Sequence, residues 1–233
     1  MKKSKIIIIA VTGVAILVAG IVFKQEFFLM IPLFVSLFVM SFQAEANRIG
    51  LLIGAVNACI YTAAYIYMGV YASAASSLLF SVPIQLCSFF RWKKNAYKST
   101  AVFRKMTAKQ RIIFTISVLL LWAILAGVFI YLNYEYAIFD SISFLLGFIV
   151  PILTMLAYIE YTYLWIVQAV IGLLLNVQMV INDYKETTYL IYGIYALYCV
   201  ICAFLSVSKF YKEQQSVNKT NENNSDYLNK INE

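Results

Sequence analysis

The sequence predicts an all-α membrane protein with eight transmembrane helices, and three observations predict it. Of the 233 residues, 63% are hydrophobic and 12% are charged, whereas about 25% are charged in soluble domains. The apolar residues form eight runs, each close to the roughly 20 residues that a helix needs to cross a bilayer. The basic residues cluster between these runs, as they do in the cytoplasmic loops of membrane proteins.

The first apolar run, residues 6–23, follows the basic sequence MKKSK. This pattern also occurs in signal peptides, but the run is long enough to span, and no A-x-A-like site followed by a polar domain is present. We therefore expect an additional, retained transmembrane helix within an N-terminal segment of residues 1–27.

Seven further runs predict the remaining helices, at residues 28–43, 49–68, 73–90, 112–132, 138–157, 162–181 and 189–208. The expected segments are a first three-helix bundle (28–91), a basic loop (92–111), a linker helix (112–137), a second three-helix bundle (138–208) and a disordered tail (209–233). The tail is rich in Asn, Lys, Glu and Ser, a composition that is typical of disorder.

The stretch 91–111 holds eight Lys or Arg and no acidic residue. The positive-inside rule places it in the cytoplasm, and the helix count then places both chain ends there as well. A net charge of +7 suggests nucleic acid in a soluble chain, but basic residues between apolar runs exclude that partner and favour the lipid bilayer, including anionic headgroups.

Two helix trios, 28–90 and 138–208, start on the outside and end on the inside, with one linker helix between them. This is a 3+1+3 core of two parallel bundles. Parallel internal repeats of this kind place a substrate site near the midplane between them.

Several motifs carry a family resemblance. FSVPIQLCSFFRW at 80–92 is similar to the pattern YFPMNIYGWYNW, and IFDS at 138–141 and YIEYTYLW at 158–165 are similar to F-x-D-S and Y-x-E-x-W-x-x-W. On these residues the chain resembles the PnuC family of vitamin transporters, which have a SWEET-like fold. The family's Trp-x-x-Trp-x-x-x-Asn signature falls on Thr162, Trp165 and Ala169, so its second Trp alone is present.

The resemblance implies facilitated diffusion of nicotinamide riboside, thiamine, riboflavin or a deoxynucleoside, with trapping by phosphorylation inside the cell. It also implies a bacterial plasma-membrane protein, without a cofactor, for which a homotrimer is a candidate assembly.

Polar side chains within the spans are the candidate substrate ligands, because an unpaired polar group there costs several kcal/mol. They are Asn57, Gln85, Gln168 and Asn176. Each also has the alternative role of bonding one helix to another. The resemblance makes Trp165 a stacking residue, with an aromatic-belt position as the alternative. Tyr61, Tyr65 and Phe89 are candidate walls of the same site.

Asp140 and Glu160 stand at predicted helix starts, where a carboxylate suits the helix dipole; an outer gate is the alternative for Asp140. The prolines Pro32, Pro83 and Pro151 interrupt predicted helices and are candidate hinges or static kinks.

Two other functions remain open. A lipid-modifying membrane enzyme would need an acidic cluster or a reactive His or Cys, and the chain has no His and four cysteines within apolar runs, so we expect neither enzyme nor metal site. A membrane scaffold or sensor would bind a partner through the basic loop.

Overall fold

A computed structural model describes residues 3–67, 74–75, 77–133, 137–182 and 187–231. Within them lie eight α-helices: α1 (Lys3–Val22), α2 (Phe27–Ala44), α3 (Ile49–Tyr67), α4 (Val82–Lys94), α5 (Ala108–Tyr131), α6 (Ala137–Met155), α7 (Tyr161–Asn182) and α8 (Thr187–Ile231). A π-helical turn, Ser77–Ser81, leads directly into α4, and the strands β1 (Ala96–Tyr97) and β2 (Thr100–Ala101) pair antiparallel.

The prediction of a membrane protein built from α-helices is confirmed. By length and composition, five of the described helices can cross a membrane, namely α1, α2, α5, α7 and α8. The apolar parts of α3 and α6 are shorter, Ile49–Ala64 and Ser141–Met155. Most predicted helix ends lie within a few residues of the observed ones.

Six helices form a closed ring. The order of contacts is α2, α3, α4, α6, α7 and α8, and α8 returns to α2. The helices α3 and α7 therefore hold opposite positions in the ring. Outside it, α1 packs on α2 and α8, and α5 packs on α6.

Side-chain bonds fix the direction of neighbouring helices. Thr188 at the start of α8 donates to Gln25 before α2, and Ser206 donates to the Ala44 carbonyl oxygen at the end of α2 over 2.8 Å. Hence α2 and α8 run parallel. The Trp92 indole N–H at the end of α4 donates to the carbonyl oxygen of Thr154 at the end of α6 over 2.7 Å, so these two helices also run parallel.

The turns after α2 and α6 have the same hydrogen bonds. Ala46 and Ala157 have positive φ angles of 50° and 57°. In each turn this residue donates to the carbonyl oxygen three residues earlier, and the next residue donates to the one five residues earlier. Both are Schellman motifs, in which alanine occupies the left-handed position that usually holds glycine. The first helices of the two predicted bundles thus end alike.

The basic loop (residues 92–111) is folded. The Ser99 carbonyl oxygen accepts from the Arg48 N–H after α2, and Arg104 forms a parallel β-bridge with Tyr158 after α6. The loop therefore joins the two Schellman turns at one end of the molecule, which we call the basic-loop end. The predicted loop boundaries are shortened, because α4 runs to Lys94 and α5 starts at Ala108, where Thr107 and Gln110 form a capping box.

The predicted disordered tail is wrong over its first turns, because α8 continues past residue 208 to Ile231. Gln214 is buried: its amide nitrogen donates to the Ala101 carbonyl oxygen, and its amide oxygen accepts from the Phe103 N–H, both over 2.9 Å. Lys98 donates to Glu213 over 2.7 Å. These partners lie far away in the sequence, so a composition-based prediction of disorder does not include them.

Two hydrophobic clusters hold the helices together. One lies at the basic-loop end and includes Trp92, Phe103, Tyr161 and Val207. The other joins α1, α2 and α8 around Leu33 and Val200 among others. The side chain of Trp165 packs against both clusters.

Candidate functional site

A cavity of about 700 Å³ lies inside the helix ring. Its wall is formed by α2, α3, the π-helical turn, α4, α6 and α7. It contains these residues predicted from the sequence: Asn57, Tyr61, Gln85, Pro151, Trp165 and Gln168. The ring therefore brings together side chains that are more than one hundred residues apart in the chain.

The amide oxygen of Asn57, on α3, is available for a further hydrogen bond. Its amide nitrogen donates to the Ser36 hydroxyl over 2.7 Å, and that hydroxyl lies 3.4 Å from the Tyr61 hydroxyl. The amide oxygen of Asn57 is buried and has no hydrogen-bond partner. A buried acceptor without a donor is costly, so this oxygen is a candidate acceptor for a ligand N–H or O–H.

Gln85 of α4 lies against α3. Its amide oxygen is buried and without a hydrogen-bond partner, and it occupies the place where a side chain on Gly54 would begin. The glycine thus allows the Gln85 amide to reach the neighbouring helix.

Trp165 and Gln168 lie on α7, one helical turn apart. The Trp165 ring stands beside the Tyr161 ring, with centroids 6.2 Å apart. A Cβ atom on Gly147 of α6 would lie 3.9 Å from the Gln168 amide nitrogen. Gln168 lies eleven residues after Ala157, as Asn57 lies eleven residues after Ala46. The two amides therefore occupy equivalent positions on opposite helices of the ring.

Aromatic rings also form much of the remaining wall. Phe148 of α6 makes edge contacts with Phe80 of the π-helical turn at 5.6 Å and with Phe144 at 5.1 Å between centroids. The described residues that line the cavity include amides, hydroxyls and aromatic rings, and none of these described residues is charged. Such a cavity suits a ring compound that is bound by stacking and a few hydrogen bonds.

Trp92 and Thr154 line the cavity at its basic-loop end. The Trp92 side chain is buried, and beyond it the Phe103 ring makes an edge contact at 5.6 Å. Trp92 and Thr154 were not among the site residues predicted from the sequence, although Trp92 ends the FSVPIQLCSFFRW motif. The hydroxyl-bearing Ser77, Ser81 and Ser88 also line the cavity and were not predicted.

Several predicted site residues lie elsewhere. Asn176 donates to the Tyr189 carbonyl oxygen over 3.1 Å and so bonds α7 to α8, the alternative role considered for amides in the spans. Phe89 packs on the hydrophobic cluster at the basic-loop end. Pro83 is the second residue of α4, directly after the π-helical turn. The side chains of Tyr65 and Asp140 lie outside the part of the chain that the structure describes.

Glu160 precedes α7, where the sequence predicted a helix cap. One of its carboxylate oxygens instead accepts from the Met106 N–H over 3.1 Å and from the Arg111 guanidinium over 3.0 Å, and the other is buried without a partner. Glu160 therefore fastens the basic loop to the turn between α6 and α7.

Comparisons with known proteins agree with this architecture. The family model described as "Nicotinamide mononucleotide transporter" matches residues 26–208. A solved structure, "Crystal structure of the Vitamin B3 transporter PnuC", is similar with a TM-score of 0.69 and 15% sequence identity, and the match covers 91% of this chain and 94% of that one. At this identity the likeness concerns the fold. A search of curated proteins found no match.

Proposed function

The chain belongs to the nicotinamide mononucleotide transporter family, the PnuC family, and we propose that it carries a vitamin or nucleoside-like ring compound by facilitated diffusion. It is a multi-pass membrane transporter and not an enzyme. The observation that carries the proposal is the cavity that Trp165, Asn57, Gln85 and Gln168 line together.

The candidate cargoes are nicotinamide riboside, thiamine, riboflavin and a deoxynucleoside. The cavity volume of about 700 Å³ falls in the usual range for small-molecule sites. Trp165 would stack on the ring of the cargo, and the buried oxygen of Asn57 would accept one of its hydrogens. Stacking and a few hydrogen bonds suffice for micromolar to millimolar binding.

The proposed mechanism is alternating access between two parallel three-helix bundles, α2–α4 and α6–α8, with α5 as the linker. The parallel pairs α2 with α8 and α4 with α6, and the matching Schellman turns, support this arrangement. Pro83 and Pro151 are the proposed hinges, since a proline removes a helical hydrogen bond and permits bending. Pro151→Ala is expected to slow uptake by a larger factor than it weakens cargo binding, because Pro151 both permits α6 to bend and lines the cavity.

Passive transport is favoured over ion coupling because, within the part of the chain that the structure describes, no charged residue lines the cavity. Phosphorylation of the cargo inside the cell would then keep it there. The proposed setting is a bacterial plasma membrane with both chain ends in the cytoplasm, where the basic loop would lie by the positive-inside rule. A homotrimer is the proposed assembly.

Two measurements test this function. Titration of the purified protein with the four candidate cargoes by calorimetry is expected to identify at least one ligand, and failure of all four would contradict the proposed cargo class. Uptake of that ligand, measured in cells with a working kinase for it, is expected to continue after a protonophore is added. Abolished uptake while phosphorylation continues would contradict facilitated diffusion.

A further inference from the structure

We infer that Gly54 is a positioning residue for cargo selection, because its missing side chain gives the Gln85 amide a fixed place in the cavity wall. This inference rests on the proposed transport function for its link to cargo. The geometric part concerns the contact between α3 and α4 and can be tested without any cargo.

The contact leaves no room for a larger residue while the Gln85 amide keeps its position. A Cβ atom on Gly54 would overlap the Gln85 amide oxygen and stand 3.0 Å from the amide carbon. Real Cβ atoms are not found so close to other heavy atoms, so any side chain at position 54 must displace the Gln85 amide. The amide oxygen itself is buried without a conventional donor, so a weak Cα–H···O contact with the glycine backbone is what α3 offers it.

The oxygen of Gln85 is thereby turned towards α3. The polar atom that remains for the cavity is the amide nitrogen, which is a donor. Gln85 held in this way selects a cargo with an acceptor, such as a carbonyl oxygen or a ring nitrogen, at the matching point. Asn57, with its free oxygen, selects a donor. The two amides of the first bundle then recognise a cargo that carries both a hydrogen-bond acceptor and a hydrogen-bond donor.

The repeat explains why position 54 matters. Gly54 lies eight residues after Ala46, and Trp165 lies eight residues after Ala157. Because the two alanines occupy equivalent turns, Gly54 and Trp165 occupy equivalent positions on opposite helices of the ring. The second bundle places an aromatic ring there, and the first bundle leaves a gap that the Gln85 amide enters. At this position the cavity therefore has an aromatic ring on one side and an amide on the other.

The experiment is a double-mutant cycle of the full chain in detergent: wild type, Gly54→Ala, Gln85→Ala and the double variant. Dissociation constants are measured by calorimetry with nicotinamide riboside, thiamine, riboflavin and thymidine as probes, and melting temperatures are measured without a probe. The matched controls are Gly127→Ala on α5 and Gly172→Ala on α7, since a Cβ at either position meets no atom within 4 Å.

Gly54→Ala is expected to weaken binding of the recognised probe about fivefold or more, the factor that corresponds to one lost hydrogen bond. It should also lower the melting temperature more than the same substitution does in the Gln85→Ala background, because the Gln85 amide must move. When Gln85 is already Ala, the same glycine substitution should change binding less than about twofold and should not lower the melting temperature. The two control variants should bind as the wild type does.

Equal weakening by Gly54→Ala in both backgrounds would overturn the inference, since the glycine would then act through helix packing alone. Unchanged binding in Gln85→Ala would overturn it too. If the wild type binds none of the probes, the proposed function fails. The melting temperatures then decide the geometric part. If Gly54→Ala lowers the melting temperature when Gln85 is present and does not lower it in the Gln85→Ala background, the contact is supported. Equal decreases in the two backgrounds overturn it.

Discussion

Replacing Gln214 by Ala tests whether the start of the predicted tail is part of the fold. The substitution removes two hydrogen bonds of 2.9 Å and leaves the Ala101 carbonyl oxygen and the Phe103 N–H without their partner. Both residues are at least 95% buried, with exposures of 1% and 5%. A buried polar group without a partner costs about 1–3 kcal/mol.

For two such groups near the protein surface, where water can reach part of the gap, we expect the free energy of unfolding to fall by about 2–4 kcal/mol. Denaturant unfolding of the purified protein in mixed micelles measures this change. Limited proteolysis gives a second measurement, because the basic loop should be cut faster when Phe103 is no longer held by α8.

The neighbouring residue provides the control. Gln215 is exposed, and it donates to the Tyr211 hydroxyl of its own helix over 2.7 Å. Gln215→Ala should therefore change stability by less than about 0.5 kcal/mol. Equal losses for the two variants, or no loss for Gln214→Ala, would refute the conclusion that α8 is bonded to the basic loop.

Trp165→Ala should weaken cargo binding at least fivefold, since ring stacking contributes about 1–3 kcal/mol, whereas Trp122→Ala on α5, outside the cavity wall, should leave calorimetric binding unchanged; equal effects would contradict the stacking role. Glu160→Ala should destabilise the protein more than Glu160→Gln, which keeps an acceptor for the Met106 N–H, and thermal unfolding that ranks them the other way would contradict the bonds described. The hydrogen bond with Lys98 holds the pKa of Glu213 below its usual value, and the same bond raises the pKa of Lys98. The pair should therefore stabilise the fold at neutral pH, and this stabilisation should be lost as pH falls through the pKa of Glu213 or rises through the pKa of Lys98. Lys98→Met should then have a lower melting temperature than the wild type at pH 7 in low salt and the same melting temperature in acid.

The sequence predicted the helices well because hydropathy over a bilayer thickness is a local property. The eight apolar runs correspond to the described helices, and no knowledge of tertiary contacts is needed to identify them. The basic loop and the start of the tail were predicted less well for the opposite reason. Gln214 bonds a residue 111 positions away, and composition holds no information about such a partner.

The candidate site was partly predictable. A polar amide in an apolar run is rare, so Asn57, Gln85 and Gln168 could be selected from the sequence, and all three line the cavity. The same criterion selected Asn176, which instead bonds the adjacent helix. Which partner an amide finds depends on helix rotation. Gly54 could not be selected at all, because its importance comes from the side chain of another helix.

The contacts of the basic loop can form only in a certain order during translation. Its backbone bonds the turn after α2, already synthesised, and the turn after α6, which leaves the ribosome about fifty residues later. Gln214 arrives later still. The basic-loop end therefore stays unfinished through most of translation, and a ribosome that stalls before α8 is complete would release a chain whose helices are inserted but whose loop lacks its last contacts.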